Sequence, residues 1–346
     1  MRNLFICHTQ AHLLLASGLA KGRFKKDENI LILFVDFGIK DELKQILNST
    51  FNRTLYLQSI YPAEYNTIKS KLKWYPQDWK QIKSFLTNPV DRTFAVCDWL
   101  LLVQKTLQRA YRLNPKTEFA WMEDGITAYY SDSNFHLGLD KNKLTMTLRR
   151  VIFRDILCTG KFYDRDFEQT GGLKLLKRIY TCYPEAVREP YKSQKRLIQI
   201  TDEEYFLGLQ SLYPKVHLDI KPNTVILVVD KLDRYIYPDK VKKSIIAFIR
   251  DCKNAGKSVV CKFHPRESEV WDIFDGCEQL DKSVGIESAY VSLADIKDSI
   301  IIAGIKSAGL MSAKKIGYTT VSLFPSCGES NDNLIKFYRK LGIKLL

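Results

Sequence analysis

The sequence predicts an α/β protein of two domains, each built on a parallel sheet with helices on both faces, the sheets facing a central cleft. Three observations lead there. Short, wholly apolar runs of strand length, such as 30–35 and 224–229, alternate with helix-length stretches; strands buried on both faces between crossover helices read this way. Polar residues gather directly after these runs, where open parallel sheets bind their ligands. Lys221-Pro222-Asn223 interrupts the alternation, and a second series starts beyond it. The break belongs between residues 190 and 222, and we place one domain over 1–200 and the other over 201–346.

Each element follows from its residues. An apolar strand over 4–7 opens the chain, and a helix over 11–19 follows. A second strand over 30–35 leads to a helix over 40–47, and 55–57 makes a short third strand. Helices are expected over 77–85 and 99–111, then a strand over 118–122 that ends in Glu123-Asp124-Gly125. Residues 131–200 are less regular, with basic clusters (Arg149, Arg150, Arg154; Lys174, Lys177, Arg178), the pair Gly171-Gly172 and a polar stretch over 188–196. A helix over 202–212 precedes the break. In the second series a strand covers 224–229. Pro238 opens a helix that Gly256 ends. Strands follow over 257–262, 300–303 and 319–323, with helices over 292–298 and 307–316.

Composition limits the function. With 346 residues, 12% aromatic and 45% hydrophobic, and only 17 Gly and 11 Pro, the chain is neither disordered nor collagenous. The charge, 53 Lys+Arg against 39 Asp+Glu, is +14, a surface that attracts nucleic acid, anionic lipid or nucleotide-bearing substrates. The eight cysteines stand singly, without zinc-site spacing, and read as reduced thiols in a cytoplasmic protein. No apolar run approaches the roughly 20 residues of a spanning helix. The apolar N-terminal stretch is broken by His8, Thr9, Gln10 and His12, so it reads as a strand and helix rather than a signal peptide.

Four places after expected strands carry candidate chemistry. His8-Thr9-Gln10 follows the first strand, and Thr9 and Gln10 are candidates for contact with a bound nucleotide. Glu123-Asp124-Gly125 joins two carboxylates to a turn-permitting glycine: either a base for a hydroxyl nucleophile or a solvated acidic turn. Lys262-Phe263-His264-Pro265 holds an imidazole in extended backbone beside cations: either a phosphate contact and proton donor or a surface histidine in a turn. Lys306-Ser307 opens a helix: either an anion site at its N–H groups or a plain N-cap. No Walker A loop or G-x-G-x-x-G is present, which speaks against a P-loop kinase or an NAD enzyme. Asp164-Arg165-Asp166 has metal-clamp spacing but sits off any strand end, and Ser131-Asp132-Ser133 reads as a turn, so no metal site is expected.

Taken in order, Glu123-Asp124-Gly125, His264-Pro265 and Ser307 resemble the acidic, HP and serine motifs of bacterial sialyltransferases. The opening Leu-Phe-Ile-Cys-His-Thr-Gln is similar to glycosyltransferase family 52, the lipooligosaccharide sialyltransferases, and to the related bacterial polysialyltransferases. The resemblance spans roughly residues 1–325. It implies a GT-B fold, with an acceptor-side first domain and a nucleotide-sugar-binding second domain, whose C-terminal helix is allowed to pack back on the first. It implies a metal-independent, inverting transfer from CMP-sialic acid, with no cofactor, to a glycan of lipooligosaccharide or capsule. By motif, Glu123 falls on the base and Asp124 supports the turn. His264 falls on the histidine that contacts the CMP phosphate and acts as general acid, with Pro265 beside it. Ser307 falls on the phosphate serine, and Glu287 on the ribose carboxylate. Apart from the resemblance, Lys262 at its strand end either reaches the donor or is a solvated lysine. Ser307-Ala308 departs from the usual serine pair, and Asp230 or Asp233 are alternative bases.

Other readings stay open at this point. A GT-B enzyme using a UDP-hexose or CMP-Kdo shares the same features. A basic nucleic-acid-binding protein fits the charge, but its basic and aromatic residues are not concentrated on one element, and no nucleic-acid partner is expected. Arg149, Arg150 and Arg154, or Lys336, Arg339, Lys340 and Lys344, either make peripheral contact with the anionic inner membrane face or serve general solubility. A homodimer is compatible with the sequence.

Overall fold

The computed structural model describes residues 1–35, 39–58, 68–129, 147–148, 151–156, 159–163, 170–230, 235–263, 274, 276–281, 283–328 and 331–346. The chain divides into two compact units, Met1–Leu212 and Tyr213–Leu346.

The first unit holds a seven-stranded sheet in the order β3-β2-β1-β4-β5-β6-β7. Its strands are β1 (Arg2–Cys7), β2 (Glu28–Val35), β3 (Arg53–Gln58), β4 (Arg92–Ala95), β5 (Glu118–Met122), β6 (Arg178–Thr181) and β7 (Arg196–Gln199). Every pairing is parallel. The central strands are apolar because helices cover both faces. Phe5 of β1 stacks on Phe94 of β4 at 4.6 Å, and Tyr180 of β6 meets Phe94 edge-on at 4.9 Å. Strands β4, β6 and β7 were not expected. Each has four residues and opens on arginine, and the neighbouring strands hold them extended. Arg92 donates to Asn3 (3.3 Å) and Asp27 (3.2 Å), which fixes the start of β4.

The helices of this unit are α1 (Gln10–Lys21), α2 (Asp41–Thr50), α3 (Ile68–Phe85), α4 (Leu101–Leu113), the single turn α5 (Tyr191–Gln194) and α6 (Asp202–Leu212). Contacts divide the chain after Leu212 rather than after 200, because α6 lies against α1. The two helices approach closely at Gly18 and Gly208. A Cβ on Gly18 would lie 2.1 Å from the Glu204 carbonyl oxygen, and one on Gly208 would lie 2.2 Å from that of Leu14. Arg23 then grips the Glu204 carboxylate with two hydrogen bonds of 2.9 and 3.0 Å.

Residues 170–176 are clamped from both sides. The buried Asp98 carboxylate accepts the N–H groups of Gly171 and Leu173 at 2.8 Å each. The buried Lys195 ammonium donates to the carbonyls of Leu173 (3.0 Å) and Leu176 (2.7 Å). Each buried charge thereby meets backbone groups that would otherwise stand unsatisfied.

The second unit holds a six-stranded sheet in the order β10-β9-β8-β11-β12-β13, also parallel throughout. Its strands are β8 (Thr224–Val229), β9 (Ser258–Phe263), β10 (Glu278–Gln279), β11 (Ile300–Gly304), β12 (Thr319–Ser322) and β13 (Lys344–Leu345). Its helices are α7 (Pro238–Asn254), α8 (Ile286–Ser292), α9 (Ala308–Lys315) and α10 (Asp332–Leu341). The helix expected over 292–298 is a 3-10 stretch, Ala294–Ser299, and the α-helix lies just before it as α8. The C-terminal helix α10 leads into β13, which pairs with β12, so the chain end is built into the second sheet.

Candidate active site

In an open parallel sheet, the crevice for a ligand lies at the carboxyl ends of the strands where the strand order reverses. In the first unit that point falls between β1 and β4. Beyond these strands stand His8 and Thr9 on one side and Cys97 and Asp98 on the other. Glu123 and Asp124 follow the next strand, β5.

The adjacent carboxylates face opposite ways. Glu123 is 5% exposed and turned inward. Its Oε2 accepts from the Tyr129 hydroxyl, from Thr181 Oγ1 (2.8 Å) and from the Cys182 N–H (2.7 Å). Burial pushes its pKa up, against the lowering effect of those hydrogen bonds. Asp124 carries a side chain 29% exposed. Gly125 has φ +53°, a left-handed turn that follows Asp124 and favours glycine.

Asp124 is held by His12, which the sequence reading noted only as a break in an apolar stretch. His12 Nε2 lies 2.8 Å from Asp124 Oδ1. The other ring nitrogen, Nδ1, accepts the backbone N–H groups of His8 and Thr9 at 3.2 Å each. Nδ1 is therefore the acceptor, and the proton on Nε2 points at the carboxylate. This ring also starts α1. Thr9 is the N-cap, its hydroxyl accepts the His12 N–H, and the His12 side chain accepts the Thr9 N–H, a capping box with histidine in place of Glu or Gln. The pattern Thr-x-x-His directly after a strand was the signal available in the sequence. His8 is buried, stacks on Phe34 at 4.6 Å and meets the His12 ring edge-on. Burial pushes the Asp124 pKa up, but the His12 hydrogen bond and the two nearby imidazoles outweigh it and hold the carboxyl below its usual value. The Cys97 thiol stands 4.0 Å from Asp124 Oδ2, on a residue with φ +49°, a conformation uncommon outside glycine.

Thr9 and Gln10 thus open α1, with the Thr9 hydroxyl engaged as a cap and Gln10 exposed. In the second unit the strand order reverses between β8 and β11. Asp230 follows β8, and Lys306-Ser307 follows β11. Asp230 Oδ2 accepts from the Tyr235 hydroxyl (2.6 Å) and from the Lys306 N–H (3.2 Å), and the Lys306 ammonium lies over the Tyr235 ring at 4.6 Å. Ser307 is the N-cap of α9 and accepts the Gly309 N–H at 3.2 Å. Its hydroxyl proton and the opening N–H groups of α9 form an anion-accepting end. Lys262 is buried and donates to the Asp281 carbonyl at 3.1 Å. Glu287, in the first turn of α8, is half-buried; burial raises its pKa, while its own N–H and Lys262 act in the other direction. His264, Pro265 and Asp233 lie outside the described residues, as do Arg149, Arg150, Asp132, Asp164 and Asp166.

Two parallel sheets, each with polar groups at the reversal of its strand order, define a GT-B fold. The chain aligns with CalG4, the calicheamicin glycosyltransferase, over 100% of its own length and 85% of that chain, with a TM-score of 0.51 and 11% identity. It aligns with S. aureus MnaA in its co-structure with UDP over 98% and 90%, with a TM-score of 0.50 and 13% identity. No individual curated protein matches it in sequence. The chain belongs to the alpha-2,8-polysialyltransferase (POLYST) family, whose model matches residues 3–323. It is a glycosyltransferase of sialyltransferase type, and the match falls on the polysialyltransferase side of the resemblance drawn from the sequence.

Proposed function

We propose that the protein transfers sialic acid from CMP-sialic acid to a hydroxyl of a glycan that already ends in sialic acid, by a metal-independent, inverting displacement. The observation that carries this reading is the Asp124–His12 pair: an ionised, accessible carboxylate with one oxygen fixed at 2.8 Å by an oriented imidazole. In the reaction, Asp124 Oδ2, the oxygen that faces the Cys97 thiol rather than His12, accepts the proton of the acceptor hydroxyl as the hydroxyl oxygen attacks the anomeric carbon. The bond to the CMP phosphate breaks, and negative charge develops on the phosphate. N–H groups at the start of α9, the Ser307 hydroxyl and His264 would stabilise that charge without a metal. Asp124 takes the role that motif matching gives to Glu123, because the three groups around Glu123 leave it facing the core. Asp230, one of the two alternative bases with Asp233, is held by Tyr235 and the Lys306 N–H.

The test is CMP release and product analysis with CMP-sialic acid and a short sialylated oligosaccharide in excess EDTA. Transfer with inverted anomeric configuration supports the reading. Transfer from UDP-N-acetylglucosamine or CMP-Kdo alone, or activity only on restoring divalent metal, overturns it.

A further inference from the structure

The scatter of basic and aromatic residues expected from the sequence does not hold at helix α3 (Ile68–Phe85), which carries Lys73, Trp74, Trp79, Lys80 and Lys83 within eleven residues. Its one acid, Asp78, is 2% exposed and turned to the core, so the charged side chains described on the outer face are all cationic. Lys73, Gln77, Lys80 and Ser84 follow one another at helical spacing and are all exposed, with Lys83 beside them. Trp74 and Trp79 flank this stripe, half-buried.

Lysine ammonium groups lie against both indoles and compete with any ring that would stack there. The Lys73 ammonium lies 4.9 Å from the Trp74 ring centre. Those of Lys83 and of Lys105, from α4, lie 6.0 and 5.5 Å from that of Trp79. A nucleobase or a sugar ring needs an open aromatic face on which to stack. What this helix side presents is two half-buried indoles interleaved with exposed ammonium groups. A headgroup layer takes that arrangement: lysine stems lie along apolar surface with their charges at the phosphates, and tryptophan prefers the interface. The basic cluster singled out in the sequence at 149–154 is a weaker candidate, because Arg154 is hydrogen-bonded twice to its neighbour Asp155, at 2.8 and 3.0 Å.

We propose that this face of α3 docks the protein on a membrane surface of anionic phospholipid, with Lys73, Lys80, Lys83 and Lys105 at the phosphates and the indoles of Trp74 and Trp79 in the interfacial layer. The proposal stands apart from the transferase reading, since lipid binding is measured without any sugar.

The experiment is co-sedimentation of the full chain with vesicles of phosphatidylcholine alone or mixed with phosphatidylglycerol. Binding is expected on the mixed vesicles and not on phosphatidylcholine. Each basic residue near an anionic surface contributes about fivefold in binding, so Lys73→Glu/Lys80→Glu/Lys83→Glu should weaken it by about 100-fold or more. The three side chains are exposed, so the melting temperature and the turnover of a soluble acceptor should stay as in the parent. Brominated acyl chains should quench tryptophan emission in the parent and much less in Trp74→Phe/Trp79→Phe. Equal vesicle binding by the triple variant, undiminished quenching in the double variant, or retention by DNA or a soluble acidic polysaccharide without vesicle binding each overturns the proposal.

Discussion

Replacing His12 by glutamine separates the two tasks of that ring. Glutamine at the third helical position still accepts the Thr9 N–H, so α1 keeps its capping box. The ring serves two partners through nitrogens that diverge from a rigid frame; with its amide oxygen on the Thr9 N–H, the flexible glutamine chain does not also hold an N–H on Asp124, so the 2.8 Å bond is lost. A hydrogen bond to a charged group is worth about 1.5–3 kcal/mol, which corresponds to roughly one to two pKa units. The sign follows from the cause. His12 holds Asp124 below its usual value, so its removal raises the pKa, with burial then opposed only by the His8 imidazole. The assay is kcat/KM against pH. The acid limb, which reports protonation of the base, should move up by about one to two units in His12→Gln. Near neutrality Asp124 is ionised in both proteins, so turnover there should fall by no more than about tenfold, through poorer positioning. The melting temperature serves as the control and should hold within a few degrees, about the effect of one lost cap. An acid limb that stays in place, or moves to lower pH, refutes this role for His12 and with it the assignment of Asp124 as base.

Further outcomes follow from the same geometry. Asp124→Asn should lower kcat by about 100-fold or more while CMP binding and the melting temperature are kept; near-parental turnover would return the base to Glu123 or Asp230. Glu123→Gln keeps an acceptor for Tyr129, Thr181 and Cys182, so turnover should stay within about tenfold of the parent. The Glu123 pKa is raised in the folded protein, so its contribution to stability is present below the usual carboxyl value and is lost as pH rises through the raised one. Thermal melts should therefore show Glu123→Gln gaining on the parent as pH increases, and a constant difference would contradict this. Gly208→Ala drives a methyl to 2.2 Å from the Leu14 carbonyl oxygen. Overpacking of that kind costs about 1–3 kcal/mol, so the melting temperature should drop by roughly 3–10 °C, and an unchanged value would show that α1 and α6 separate freely. Ser307→Ala removes the cap of α9, worth about 1 kcal/mol, and should raise KM for the donor, with Ser307→Thr restoring most of the loss; equal KM values in both variants would detach Ser307 from donor binding.

The apolar strands were legible because burial on both faces leaves an uninterrupted hydrophobic run, as in β1, β2, β8 and β11. The four-residue strands β4, β6 and β7 were not. Arg-Thr-Phe-Ala and Arg-Leu-Ile-Gln carry too little local signal, and their extended form is imposed by neighbours far off in sequence. At the site, the acidic motif could be read, but the direction of each carboxylate could not. Strand β5 is buried on both faces, so the alternation of side chains that marks inside from outside is absent there. Tyr129 and Thr181 decide the matter by closing around Glu123, and the β6 strand that carries Thr181 had itself been missed. The place of α6 rested on Gly18 and Gly208, single glycines in ordinary helical sequence whose purpose shows only when the two helices meet.

The Thr9–His12 box gives the protein an unusual evolutionary constraint. Glutamate, the commonest companion of a threonine cap, would serve the beginning of α1 equally well, yet it would set a second negative charge against Asp124. With Asp124 as the proposed base, lineages that keep that role are barred from the most ordinary solution to a problem of helix initiation. A homologue with glutamate at position 12 should be sought among those that have abandoned catalysis or moved the proton acceptor elsewhere.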